Sequence, residues 1–220
     1  MNSTTREKTN EQIDQKRWLQ IAFWLSMITI FYNALEGIVS TYYGLQDDTL
    51  ALFGFGIDSF VEVLSGIGIA HMIYRMQRNP EVQRDQFEKQ ALQLTGFCFY
   101  FLAIGMILTS GLTIWAGEQP TTTLVGIIVA IASIASMYFL IKYKLKAGHK
   151  LNSQPIIADA NCTKTCLYLS VLLLVSSGLY ELFHIPYVDA VGALGISWFA
   201  FKEGREAFQK AKGKECGDCC

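Results

Sequence analysis

Long apolar runs broken by short polar segments organise this chain, and each run is long enough to cross a bilayer. A spanning helix needs about 20 mostly apolar residues, and six runs meet that length, at roughly 18 to 43, 49 to 74, 91 to 116, 121 to 145, 155 to 183 and 186 to 209. The pattern predicts an all-α membrane protein of six transmembrane helices. The expected organisation is a polar tail over roughly 1–17, a transporter-sized helical domain over roughly 18–209, and a short Cys-containing tail over roughly 210–220.

Composition supports the class: 51% hydrophobic and only 17% charged residues, with a mean hydropathy of +0.28, are unusual for a soluble domain. The charge that remains is sorted by position. Arg6, Lys8, Lys16 and Arg17 precede the first run; Arg75, Arg78, Arg84 and Lys89 surround the second break; Lys142, Lys144, Lys146 and Lys150 surround the fourth. Lys202, Arg205, Lys210, Lys212 and Lys214 close the chain, whereas the breaks around GLQDD, GEQP and FHIPYVD hold neither Lys nor Arg. Basic residues stay on the cytoplasmic side of short loops, so both termini are expected there, in a cell (inner or plasma) membrane. The opening MNSTTREKTNEQIDQKR lacks a signal-peptide cleavage pattern and is expected to be a solvated tail. Asp47, Asp48, Glu118, Glu181 and Asp189 make the outer edge acidic, either as a cation-concentrating rim or as ordinary loop carboxylates. No Gly-rich phosphate loop is present, which disfavours nucleotide-driven transport, and no nucleic-acid partner is expected.

Ionisable residues inside the apolar runs are the informative ones, since a charge at the centre of a spanning helix costs about 2.5 to 3.5 kcal/mol on insertion scales. In ALFGFGIDSFVEVLSGIGIA, Asp58 and Glu62 are four residues apart and share one helical face. In PIIADANCTKTCLYLSVLLL, Asp159, Cys162 and Cys166 fall at i, i+3 and i+7 and form one stripe. Asp58, Glu62, Cys162 and Cys166 are therefore the candidate metal ligands, two from each of two spans. In antiparallel spans Glu62 is expected level with Cys162, and Asp58 with Cys166. Lys164 points away from the Cys stripe and is not counted as a ligand.

Other polar residues are weaker candidates. Asn33, Glu36 and Ser40 share a face of the first run, as pathway lining or as a hydrogen-bonded packing cluster. Asp159 is either a gate or proton carrier near the cytoplasmic mouth, or an acid that complements a helix N-terminus. Cys216, Cys219 and Cys220 form a C-x-x-C-C tail that either captures soft metal or is neutral. His71 reads as interfacial, Cys98 as core, and His184 as a minor candidate at the outer mouth.

Taken with the segments LEGIVS, LFGFGIDSFVEVLSG, IADANCTKTC and PYVDAVGALGISWFAFKEG, these pairs resemble the transmembrane part of the cation diffusion facilitator family of divalent metal transporters. Family members carry paired ligands one turn apart in the second and fifth helices. By position Asp58 and Glu62 match one pair, and Cys162 and Cys166 match the other. The resemblance implies a six-helix transporter, usually a homodimer, that exchanges a divalent metal for protons by alternating access. It implies no permanent cofactor and no enzymatic activity. Two departures stand out: Cys replaces the usual His and Asp of the fifth helix, and only KAKGKECGDCC follows the sixth run where the family's cytoplasmic C-terminal domain is expected. The family's His-rich loop is also reduced to His149.

Thiolates favour zinc, cadmium, mercury or cuprous copper over manganese or magnesium, with zinc expected first and cadmium or mercury next. Cys and carboxylate ligands must lose protons to hold metal, so protons are the natural counter-ion. Expelling a divalent ion against an inside-negative potential costs about 4.6 kcal/mol per 100 mV, which an inward proton gradient offsets. Two other classes remain open on the residues alone: a membrane thiol oxidoreductase built on the Cys pairs, which leaves the buried acids unexplained, and a membrane metal sensor that binds without transporting.

Overall fold

The computed structural model describes residues 3–78, 86–117, 119–151, 153–185 and 187–212. The described residues form six helices: α1 (Ser3–Gln46), α2 (Leu50–Arg78), α3 (Gln86–Ala116), α4 (Leu124–Leu151), α5 (Gln154–Phe183) and α6 (Val188–Ala211). They contain no strand, as the 3.6-residue periodicity and the absence of alternating runs require. Several helices extend beyond expectation, α2 to Arg78 and α3 back to Gln86, and two more take in polar stretches. α1 begins at Ser3, so the polar N-terminal stretch continues the first spanning helix instead of forming a separate coil. α4 runs on to Leu151 and takes the Lys142 to Lys150 cluster into the helix.

Five of the six helices are long and apolar enough to cross a membrane: α1 to α5. α6 falls short because Lys202, Glu203, Arg205 and Glu206 crowd its second half. The bundle turns large apolar side chains outward, among them Phe31, Phe101, Trp115, Leu182 and Trp198. Such a surface suits lipid, where exposed hydrocarbon carries no penalty. The protein is a multi-pass integral membrane protein, with α6 packed beside α3 and α2.

Three apolar clusters stack along the bundle. One, built on Leu52, Phe55, Met137, Leu140, Leu169, Leu173 and Ile196, joins α2, α4, α5 and α6. A second joins α2, α3 and α6 through Val61, Phe99, Leu102, Met106 and Ala200. The third, around Leu19, Ala22, Ile73, Ala147 and Ile156, joins the start of α1 and α5 to the end of α2 and α4. α1 and α2 lie close because of small residues at their contact: a Cβ on Gly56 would stand 2.6 Å from the backbone nitrogen of Thr41.

The three connections that lack Lys and Arg meet at one end. Thr121 N–H donates to the carbonyl of Asp47 at 3.0 Å, and Thr49 Oγ1 donates to the carbonyl of Thr122 at 3.2 Å. Asp189, in the first turn of α6, accepts from the backbone N–H of Leu50 at 2.6 Å and of Ala51 at 3.3 Å, so that it caps α2 from a different helix. Glu181 accepts from Thr123 N–H at 3.0 Å, and Tyr180 Oη donates to the Pro120 carbonyl at 2.6 Å. Two members of the acidic edge, Glu181 and Asp189, are thus engaged as caps and ties; Glu118 lies outside the described residues.

Candidate metal site

Asp58 and Glu62 lie on the inner face of α2, as their spacing requires. Asp58 is 2% exposed, and its Oδ1 has no hydrogen-bond partner. Glu62 accepts a hydrogen bond from the amide of Asn33 on α1 at 2.6 Å. It also lies within interaction range of the Cys166 thiol on α5, itself only 1% exposed. The two expected ligand helices therefore meet inside the bundle.

The register differs from expectation by one turn. Glu62, more than Asp58, faces Cys166, on helices that share the α2–α4–α5–α6 apolar cluster. Asp58 remains within electrostatic range of Cys166, Glu62, Glu36 and Glu203. Cys162 belongs to α5, three residues after Asp159 and four before Cys166, but its side chain lies outside the described residues. Cys216, Cys219 and Cys220 also lie outside them. Among the described residues no three His, Cys, Asp or Glu side chains stand together closely enough to hold a metal ion.

Polar side chains of α1 and α4 extend the site. Glu36, 6% exposed, receives the Tyr32 hydroxyl at 3.0 Å and the Ser59 hydroxyl at 3.1 Å. Ser133 of α4 lies near Glu36 and accepts from Ser170 Oγ on α5 at 2.8 Å. Asn33 is fully buried, and while its amide nitrogen is engaged its carbonyl oxygen Oδ1 has no partner. A buried oxygen without a donor is costly to leave so, and Asn33 Oδ1 and Asp58 Oδ1 are two such atoms in one helix pair. Ser40 is buried on the same face of α1, and its hydroxyl has no partner. Both readings of the Asn33, Glu36 and Ser40 face have support, since Asn33 and Glu36 form hydrogen bonds that bind α1 to α2 and also line the acid pair.

Asp159 is part of an ion pair that sequence reading missed. Lys144 Nζ lies 2.8 Å from Asp159 Oδ2 and donates to Thr163 Oγ1 at 2.9 Å. Lys144 reads in sequence as one of several basic residues flanking the membrane, yet it is 2% exposed. Burying either charge alone would be severe, and pairing with a hydrogen-bonded partner is the usual remedy. Glu203 was also missed: it is 8% exposed and follows Ala193, Ile196 and Ala200 on the buried stripe of α6, a spacing that marks it as inward-facing.

The remaining candidates are peripheral. Lys164 stands 5.9 Å from the Tyr168 ring centroid in a cation–π contact, consistent with its expected direction away from the site. His71 is exposed and Cys98 half-buried beside the α2–α3–α6 cluster. His184 closes α5 in the left-handed conformation, with its N–H bonded to the Tyr180 carbonyl.

Residues 26–212, nearly the whole helical bundle, match the cation efflux transmembrane domain. The chain belongs to the cation efflux family. Members of this family are cation transporters and not enzymes. An uncharacterized transporter of Methanocaldococcus jannaschii is 27% identical over 172 residues, covering 76% of this chain and 60% of that protein. Manganese efflux system protein MneP of Bacillus subtilis is 22% identical over 198 residues, covering 85% of this chain and 66% of MneP. Magnetosome protein MamB of Magnetospira sp. strain QH-2 is 27% identical over 191 residues, covering 85% and 64% respectively. The aligned parts thus span less than two thirds of the length of these cation efflux relatives.

Proposed function

We propose that this cation efflux domain carries a divalent metal ion across the membrane in exchange for protons, exporting it from the cytoplasm, where both termini lie. The observation that carries the reading is the meeting of Glu62 with Cys166 inside the bundle, with Asp58 in electrostatic range. Cys162 completes the ligand set. The donors must be deprotonated to hold metal, so metal and protons compete for the same atoms and each departure of one favours arrival of the other. Helix tilting that brings Asp58 and the Cys162 stripe around one ion would form the loaded state. Zinc is the favoured substrate, with cadmium next, because sulfur donors select softer ions. The working unit is a homodimer.

A second substrate reading is manganese. It is favoured by the buried oxygen donors Asn33, Glu36 and Asp58 together with the half-buried Glu62, since carboxylate and carbonyl donors suit that harder ion, and by the printed names of relatives such as MneP. Proteoliposomes with a defined pH gradient decide between the readings. Zn²⁺ flux that responds to the gradient and is lost in Asp58→Asn supports zinc–proton exchange; Mn²⁺ flux with Zn²⁺ inert supports the second reading. Thiol turnover without metal flux would instead indicate an oxidoreductase, and metal binding without flux a sensor.

A further inference from the structure

A lysine charge has no ordinary reason to stand inside this bundle. Lys144 is 2% exposed on α4, and both of its polar contacts are with α5. Its Nζ lies 2.8 Å from Asp159 Oδ2 and 2.9 Å from Thr163 Oγ1, and Thr163 Oγ1 in turn donates to the Asp159 carbonyl at 3.1 Å. Asp159 and Thr163 bracket Cys162 on α5, three residues before it and one after. The same ammonium is within electrostatic range of the Glu62 carboxylate on α2. Asp159 acts on Glu62 as well. The positive charge is therefore held on Asp159, an acid not assigned to the metal, within electrostatic reach of Glu62, an acid that is.

We infer that Lys144 is the tethered counter-cation of the metal-free site, and that the balance between its attraction to Asp159 and to Glu62 sets the affinity for the divalent ion. The inference rests on the transport reading above. A divalent cation arriving at Glu62 meets repulsion from the Lys144 ammonium across a medium that screens poorly. Asp159 holds the ammonium on α5 and limits that repulsion. Lys144 thus lowers metal affinity enough for release, and Asp159 restores enough for loading. Lys144 acts through Glu62 and is a positioning residue.

Opposite charges and opposite effects make the role testable. In full-length protein in lipid nanodiscs, Zn²⁺ and Mn²⁺ dissociation constants are measured by equilibrium dialysis for the wild type, Lys144→Arg, Asp159→Asn, and the double variant Lys144→Met with Asp159→Asn. The double variant removes the Lys144–Asp159 ion pair as a unit and does not strand Asp159 or Lys144 alone. It is expected to bind the transported ion about tenfold tighter than the wild type, about 1.4 kcal/mol, and to turn over more slowly in proteoliposomes. Asp159→Asn alone is expected to bind about tenfold more weakly, because the freed ammonium turns toward Glu62. Lys144→Arg is expected to stay near the wild type. A purely structural ion pair would lower folding stability in both variants without tightening binding in either. Equal affinities across the set, or weaker binding by the double variant, overturn the inference while wild-type flux leaves the transport reading intact. Absence of metal binding by the wild type overturns both.

Discussion

The amide of Asn33 donates to the Glu62 carboxylate at 2.6 Å, so a residue of α1 holds an acid of α2 in place inside the bundle. Helix α1 therefore contributes to the site as well as to its lipid-facing wall. A hydrogen bond contributes roughly 0.5 to 1.5 kcal/mol net, and its loss leaves a buried acid with fewer partners. Asn33→Leu is expected to reduce metal flux at least tenfold, whereas Asn33→Asp retains an oxygen at the same point and changes metal preference instead. Flux assays with Zn²⁺ and Mn²⁺ on both variants check this; unaltered transport in Asn33→Leu would reduce Asn33 to a packing residue.

Asp58 is an acid whose buried Oδ1 has no partner. Replacing it by the isosteric Asn removes a group that can ionise only against burial and the neighbouring acids Glu62, Glu203 and Glu36. Asp58→Asn is expected to abolish transport while leaving the thermal midpoint in detergent unchanged or raised. A loss of transport accompanied by a lower midpoint would mean that Asp58 serves the fold.

Asp189 caps α2 from the first turn of α6. Removing a capping side chain costs about 0.5 to 2 kcal/mol. Asp189→Ala is expected to lower the thermal midpoint measurably without changing which metal is carried, and Asp189→Asn, which keeps an acceptor, to lower it less. Circular dichroism melting in detergent makes the comparison.

Protons compete with metal for carboxylates and thiols, which bind metal only when deprotonated. Metal affinity is accordingly expected to fall as pH is lowered and to rise as pH is raised. Equilibrium dialysis from pH 5 to 8 tests the sign, and affinity that does not vary with pH would remove the basis for proton exchange.

The helices were legible in the sequence because the apolar runs are bounded by polar residues, and five of the six helices meet the length and hydropathy of a membrane span. Asp58 and Glu62 stood out for a related reason, being short acids too deep to reach water. The one-turn displacement that puts Glu62 against Cys166 was not legible, since the alignment of α2 with α5 depends on side-chain fit between helices distant in sequence. Lys144 escaped because it sits in a lysine-rich stretch at a helix end, where local pattern means solvation; its burial depends on Asp159, fifteen positions later on another helix. Glu203 was hidden in the same manner by the charged neighbours Lys202, Arg205 and Glu206.

The hydrogen bonds that knit the connection between α1 and α2 to the one between α3 and α4, and Asp189 to α2, have a mechanical consequence. Stitched ends make a fulcrum, and displacement grows with distance from it. α4, at 28 residues, is about 42 Å long, so pivoting it by about 10° at the stitched end sweeps its far end through roughly 7 Å. Lys144 rides on that far arm, and a rocking stroke too small to disturb the knot would be large enough to pull an ammonium out of its cradle.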